Sequence, residues 1–343
     1  MNAEEKTVIN TEINLGPEDF RLADQREIGI DKTFVSSSFI KDALSRFMKN
    51  KGAVFGLVMI ILITICAFTG PSICGYNYRA QNLAEKNLPP RVEALEAIPM
   101  FSGVQFGVNE YEKRGLKDVY HYFGTDTLGR DLFARTWTGT RISLYVALVA
   151  ILIDTIVGMS YGLISGYYGG MVDSVMQRFV EIVSTIPQTV IVTLLIVVLK
   201  PGLASITIAL MLTEWVNMAR IARAQTLKLK EMEFVLASKT LGARNFGIIF
   251  KDILPNIFGQ VIIMCMFTIP NAIFTEAFLA FIGLGIPAPL ASLGSLISEG
   301  FKSMTMYPYM VAFPVIVLAL LMLSFNLMAD GLRDALDPKM KEA

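Results

Sequence analysis

Four carboxylates fall in or beside apolar runs of this sequence: Asp154, Glu181, Glu214 and Glu276. At mid-bilayer depth a carboxylate costs at least about 2.5–3.5 kcal/mol on insertion scales, so each must face protein or a water-filled cavity. Such groups can relay protons, as in an ion-coupled secondary carrier. The plainer reading gives each a partner, or a place near an interface, and no chemistry. No second feature in the sequence marks a relay. His121 is the sole histidine, and Cys66, Cys74 and Cys265 lie far apart with no CxxC, so neither a zinc site nor a disulfide framework is expected. His121 itself reads as an exposed or capping residue, although its side chain titrates near neutrality. The run Gly124-Thr-Asp-Thr-Leu-Gly-Arg-Asp131 offers Asp126 and Asp131 to a cation. It has too few oxygen ligands, at the wrong spacing, for a calcium loop. A structural role is expected instead, with Thr125 or Asp126 capping a helix that begins near Thr127, and with Arg130, Asp131 and Arg135 paired locally. Without HExxH or a Gly-x-Ser-x-Gly elbow, a membrane-embedded enzyme has little support.

The elements that would position these groups follow from composition. Of 343 residues, 53% are apolar and 17% charged, against roughly 45–50% and about 25% in soluble domains. Mean hydropathy is +0.53. A soluble core has no room for that much apolar surface, so the lipid bilayer is the expected solvent. Intrinsic disorder is excluded for the same reason, and a net charge of 0 gives no reason to expect nucleic acid. Residues 1–52 read as a cytoplasmic segment ending in an interfacial helix, where Phe39, Ile40, Leu44 and Phe47 share a face ringed by Lys41, Arg46, Lys49 and Lys51. No secretory leader is expected, because the first apolar run begins near Ala53. That run, 53–73, is long enough to span. Residues 74–141 are polar and form an insert outside the cell. Further spans are expected over 142–166, 180–199, 203–218, 257–285 and 309–328, within a core of 142–330 that is followed by a cytoplasmic tail, 331–343. Six spans return the C-terminus to the side of the N-terminus. The bases agree: Arg220, Arg223, Lys228, Lys230, Lys239, Arg244 and Lys251 crowd one loop, while Lys200 and Lys302 stand alone in the loops opposite.

Gly158, Gly162, Gly166 and Gly170 recur every fourth residue and predict a face for close helix approach. Pro187, Pro270, Pro287, Pro289 and Pro314 interrupt apolar runs, which is tolerated only where protein or water satisfies the freed backbone groups. Residues 281–289 read as a helix stop followed by an external loop or re-entrant turn. Tyr167 and Tyr168 fit an aromatic belt.

The loop 220–256 is the most informative segment. Glu233, Ala237 and Leu241 stack at helical spacing, so residues 231–241 predict a helix, with Gly242 at the position beyond its end where positive φ is needed. Residues 244–252 predict a second short helix, stopped by Pro255. Helix, glycine turn and helix make a knob, and an exposed Leu241-Gly242-Ala243 tip suits docking in a groove on another protein. An ordinary structured loop is the alternative.

The stretch Glu233-Phe-Val-Leu-Ala-Ser-Lys-Thr-Leu-Gly-Ala-Arg-Asn-Phe-Gly-Ile-Ile-Phe-Lys-Asp-Ile-Leu-Pro-Asn256 resembles the EAA loop of ABC importer permeases. That pattern reads Glu-Ala-Ala, a Gly, and then Leu-Pro. Leu236 stands at the Glu position and Ser238 replaces the second Ala; Ala237, Gly242, Leu254 and Pro255 match. Gly124 to Asp131, Arg135, Gly139, Arg141-Ile-Ser-Leu144, Gly166-Tyr-Tyr-Gly-Gly170, Glu276-Ala-Phe-Leu-Ala-Phe-Ile-Gly-Leu-Gly285 and Asp330-Gly-Leu-Arg-Asp-Ala-Leu-Asp-Pro338 resemble the C-type permease subunit of dipeptide and oligopeptide importers. The resemblance covers residues 37–340, except for 75–118. It implies an all-α membrane protein of the type I importer fold, paired with a second, homologous permease. Two cytoplasmic ATP-binding subunits would dock below, and an extracellular binding protein would deliver the peptide. It implies an ATPase-coupling site at Glu233, Ala237, Ser238, Leu241, Gly242, Ala243, Arg244 and Pro255. Asp131, Glu214 and Glu276 are the candidate pathway or gate residues. Nickel or another small solute is the alternative cargo. No cofactor is expected, and no GxxxxGK[ST] phosphate loop occurs in the chain, so ATP would be bound by another polypeptide.

Overall fold

The computed structural model describes residues 39–336. The expectations for residues 1–36 and for the end of the tail, 337–343, lie outside that range. Of the compact unit Met1–Asp42 only Phe39–Asp42 is described, as the start of helix α1 (Phe39–Lys49). Everything below concerns the second unit, Ala43–Ala343.

Helix α2 (Lys51–Ile73) starts where Asn50 caps it, its Oδ1 accepting from the amides of Gly52 and Ala53 at 3.0 and 3.2 Å. The chain then leaves the apolar runs. Three short 3₁₀ turns and a hairpin, β1 (Val104–Gln105) with β2 (Val108–Asn109), antiparallel with Val104 opposite Asn109, give the insert real structure. Arg91 organises it: the guanidinium donates to Lys117 O at 2.7 Å, pairs with Glu96 at 2.9 Å, and lies over the rings of Tyr111 and Tyr120. Tyr111 is fully buried and donates to Pro89 O at 2.8 Å.

Helix α3 (Leu132–Tyr168) begins ten residues before the apolar run that predicts it, because Asp131 caps it: Oδ1 accepts from Ala134 N at 2.7 Å. This corrects the expected cap at Thr125 or Asp126. A bridge between Thr125 and Asp131 folds the intervening residues into a tight loop, so no helix can start at Thr127. A π turn, Asp154–Gly158, sits mid-helix.

Helices α4 (Gly170–Thr185) and α5 (Gln188–Leu199) meet at a 77° bend. Ile186 is extended (φ −86°, ψ 127°), as a residue before proline must be, which breaks the run predicted over 180–199. Helices α6 (Leu203–Thr213) and α7 (Trp215–Leu229) meet at Glu214, whose backbone stays helical. Beyond α8 (Glu233–Thr240), helix α9 (Asn245–Leu284) runs without a stop. Pro255 was expected to end a separate helix and does not. A π turn at Ile248–Ile253 widens the backbone so that Leu254 N–H reaches Ile249 O, and the proline sits in the first turn of the α-helical part, where it needs no donor.

After Gly283, at φ +89°, comes a helix that the sequence reading lacked, α10 (Leu293–Phe301). Its side chains Leu293, Ser295 and Leu296 are buried, so this is a packed return into the bundle rather than an external loop. Helix α11 (Tyr309–Leu336) closes the described chain. By length and composition α2, α3, α9 and α11 can each cross a membrane, and the bent pair α4–α5 makes a fifth crossing if it is one span. Neither α6 nor α7 is long enough alone. The main apolar core joins α2, α3, α9, α10 and α11 through Ile63, Trp137, Ile273, Leu293, Leu321 and Phe325.

The glycine stripe packs α3 on α7. A Cβ on Gly158 would meet Trp215 O at 2.6 Å, one on Gly162 would meet Ala222 Cβ at 2.6 Å, and one on Gly166 would meet Thr226 Cβ at 2.7 Å. Gly170 departs from the stripe. It sits past the helix end at φ +52°, with open space around it.

Candidate functional site

The knob is built on the far ends of α3, α7 and α9. Lys230 Nζ donates to Gly166 O at 3.0 Å and Tyr167 donates to Asn245 Oδ1 at 2.9 Å, tying the loop to the end of α3. Val235, on the inner face of α8, is 2% exposed and packs with Leu163, Met218, Ala222, Ile248 and Ile253. That single anchor fixes which face of α8 looks outward. Glu233 lies in the first turn, where a carboxylate complements the positive end of the helix. Ala237 is exposed and Ser238 half-buried.

The helix ends in a Schellman turn. Ala243 N–H donates to Ser238 O and Gly242 N–H to Lys239 O, both at 3.1 Å, with Gly242 at φ +79°. The turn drives Leu241 outward to 88% exposure. Phe246, 70% exposed, lies against exposed Phe250, with ring centroids 4.3 Å apart and planes tilted by 32°. Arg244 is exposed at the start of α9. Seven of the eight loop residues predicted from sequence therefore share one projecting element, and Pro255 lies behind it in α9.

The candidate gate residues do not come together. Asp131, at the head of α3, is buried, and its Oδ2 lies 2.7 Å from His121 Nδ1. His121, expected to be exposed or capping, is 1% exposed. Its Nε2 lies 3.3 Å from Glu85, and its ring lies 4.5 Å from that of Tyr76. Burial, together with the Glu85 and Asp131 carboxylates, pushes the Tyr76 phenol above its ordinary range. Glu276 is fully buried in α9, where Ser143 donates to its Oε2 at 3.2 Å. Glu214 is half-buried at the α6–α7 junction and accepts from Gln188 Nε2. Of the other two carboxylates, Asp154 is buried and accepts from Thr268 Oγ1 at 2.5 Å, and Glu181 is an exposed partner of Arg178 at 2.7 Å.

Sequence reasoning missed one residue. Arg130, Asp131 and Arg135 were expected to pair with one another. Instead Asp126 Oδ2 accepts from Arg130 Nε at 2.6 Å and Arg135 Nη1 at 2.5 Å, and Glu299 of α10 closes the group at 3.0 and 2.8 Å. Arg135 is wholly buried. A buried guanidinium needs carboxylates, which was a usable signal, but nothing in the sequence said that one would come from residue 299.

Long apolar helices thus share a main core, and a helix–turn–helix with an exposed apolar tip projects from them. Residues 158–342 match the family described as binding-protein-dependent transport system inner membrane component, and residues 38–90 match the N-terminal transmembrane domain of oligopeptide transport permease C. The chain belongs to this family of multi-pass inner-membrane transport components. It is 44% identical over 307 residues to the oligopeptide transport system permease protein OppC of Bacillus subtilis (strain 168), covering 90% of this chain and 92% of that one. It is 42% identical to the dipeptide transport system permease protein DppC of the same strain, over 89% and 88% of the two chains. A chain of the MetNI methionine ABC transporter is similar over 59% of this chain and 96% of its own, with a TM-score of 0.48 and 17% identity.

Proposed function

We propose that this chain is the transmembrane permease subunit of an ATP-driven importer that moves peptides handed over by an extracellular binding protein. In this reading six spans, the fourth of them made of α6 and α7, place both termini in the cytoplasm and the insert 74–141 outside. A second, homologous permease completes the pathway, and two cytoplasmic ATP-binding subunits dock below. Peptide as the cargo rests on the relatives, which are oligopeptide and dipeptide permeases over almost their whole lengths.

The observation that carries the reading is the knob. Leu241 is 88% exposed although its helix is anchored from the other side by Val235. Burying a leucine side chain contributes roughly 1.5–3 kcal/mol, so a partner groove gains most of that from this one residue. The knob then moves as a rigid piece with α7 and α9, which is how closure of an ATPase pair reaches the spans. Asp131, Glu214 and Glu276 are proposed to act along or beside the pathway that this motion opens.

A gentle-detergent pull-down of the tagged chain from its native membrane tests the assignment. A second hydrophobic permease and P-loop ATPases are expected to co-purify. Leu241→Asp is expected to release the ATPases while keeping the second permease. Recovery of the chain alone, with uptake that survives ATP depletion but not a proton uncoupler, would replace the importer with a secondary carrier.

A further inference from the structure

Helix α4 joins α3 through a corner that does little to fix its direction. Gly169 and Gly170 both have positive φ, +65° and +52°, and nothing lies within 4 Å of a Cβ built on Gly170. Glycine moves freely among such conformations, so the angle of α4 has to come from contacts further along. Its outward side gives none, since Met171, Val175, Phe179 and Ile182 are exposed. Val180 is the one buried side chain of the helix, in a cluster with Ile153, Trp215 and Ala219.

Polar contacts supply the rest, and they run to α3 and α7. Arg223 of α7 donates to Asp173 of α4 twice, Nε to Oδ1 and Nη2 to Oδ2, both at 2.6 Å. Ser165 of α3 donates to the same Oδ1 at 2.5 Å, and Gln177 of α4 donates back to the Ser165 hydroxyl at 3.1 Å. One turn along, Tyr161 of α3 donates to Met176 O at 2.7 Å, and near the end of α4 Ser184 Oγ accepts from Arg220 at 2.6 Å. Charge pairs contribute little net stability. What a bidentate pair adds is a fixed angle as well as a fixed distance, which one buried valine does not. Arg223 lies in the last two turns of α7, and residues 230–232 lead from there into α8 of the knob. At its other end α4 leads to the 77° bend and to α5, whose Gln188 meets Thr213 and Glu214 at the α6–α7 junction.

From this geometry we propose that the Arg223–Asp173 pair is a strut, which carries displacement of the knob from α7 into α4 and so swings the bent pair α4–α5 when the ATP-binding subunits close. Both are positioning residues, acting through the helices they join. The glycine corner lets α4 turn on α3, and the strut makes that turn follow α7. The inference rests on the importer reading, with the knob as the docked element.

The test uses the assembled transporter in proteoliposomes with binding protein, peptide and ATP, and reads the peptide moved per ATP hydrolysed. Asp173→Asn keeps the shape of the side chain and removes its charge. It is expected to leave the ATP-binding subunits attached and hydrolysing, while the peptide moved per ATP falls about tenfold, the factor that roughly 1.4 kcal/mol of lost coupling gives. Arg223→Lys keeps the charge and loses the fork, so its ratio should fall in between. A loss of packing alone would lower uptake and hydrolysis together and leave their ratio unchanged, and that result overturns the strut. Where Asp173→Asn does not assemble, Arg223→Lys decides in the same way. Absence of ATP-driven uptake by the unaltered protein removes the importer reading and the strut with it. Normal uptake by the unaltered protein, beside an unchanged ratio in the variants, removes the strut only.

Discussion

Gly242 is the residue whose replacement separates a coupling knob from an ordinary loop most cleanly. Its φ of +79° is needed for the Schellman turn, and a Cβ built on it meets nothing within 4 Å. Steric clash with the rest of the protein is therefore absent, and any effect is confined to the backbone of the tip. Alanine at such a φ costs about 1–2 kcal/mol, and asparagine, which tolerates this region, less. Proline fixes φ near −65° and also removes the N–H that donates to Lys239 O at 3.1 Å, a bond worth about 1 kcal/mol. Its total exceeds roughly 3 kcal/mol, a shift of more than about a hundredfold against the native tip. Val235 stays buried in all three variants, so α8 remains attached while the direction of Leu241 is lost. The assay is ATP-dependent peptide uptake in proteoliposomes, with retention of the ATPases on the tagged permease measured in parallel. The expected order of loss is Asn, then Ala, then Pro, with the second permease retained throughout. Unimpaired uptake with Gly242→Pro refutes the assignment of the knob as the coupling element.

Gly162→Ala should destabilise the purified protein by about 1–3 kcal/mol, because the new methyl meets Ala219 O and Ala222 Cβ and must push α7 off α3; an unchanged melting temperature in detergent counts against the close approach. Glu299→Gln should cost about 1–2 kcal/mol, less than the roughly 3–5 of a fully buried pair because Glu299 is 40% exposed. Glu299→Asp should cost less, and identical melts for the two variants would deny Glu299 its role as the fourth charge of the cluster. Burial opposes the charge of Glu110, yet hydrogen bonds from Lys113 and Arg114 hold its carboxyl below the ordinary 4.5. A depressed folded-state value adds stability above pH 4.5 that is lost as pH falls towards the lower folded value. Protection factors in the insert, taken relative to the intrinsic exchange rate at each pH, should therefore fall on acidification, less steeply in Glu110→Gln; parallel profiles would contradict this.

What the sequence revealed and what it hid divide by the range of the interaction. The glycine stripe, the helix over the knob and the positive φ at Gly242 depend on residues within about one turn of each other, and periodicity reports those directly. The loop motif was legible for the same reason. Pro255 misled because its usual effect as a helix stop is cancelled by a π turn just upstream, which no residue type announces. The start of α3 was misplaced because Thr125, Asp126 and Asp131 are all good caps, and the choice is made by a backbone bridge. Longer-range pairings were closed to sequence reasoning altogether: His121 with Glu85, Arg135 with Glu299, Glu276 with Ser143.

The four carboxylates of the apolar runs show what that limit means for function. In sequence they are equivalent, each a charge that a bilayer penalises. The fold answers the penalty in three ways. Glu181 lies at an exposed position with an arginine, an arrangement worth little and needing no further role. Asp154 and Glu276 are buried inside helix contacts and accept from Thr268 and Ser143, each through one carboxylate oxygen while the other is left without a partner among the described residues. Glu214 is half-buried at the α6–α7 junction and accepts from the side-chain amide of Gln188. Hydropathy cannot separate these cases because it carries no helix rotation, whereas the fold does: the bend at Pro187 brings Gln188 against Glu214 where α6 continues into α7.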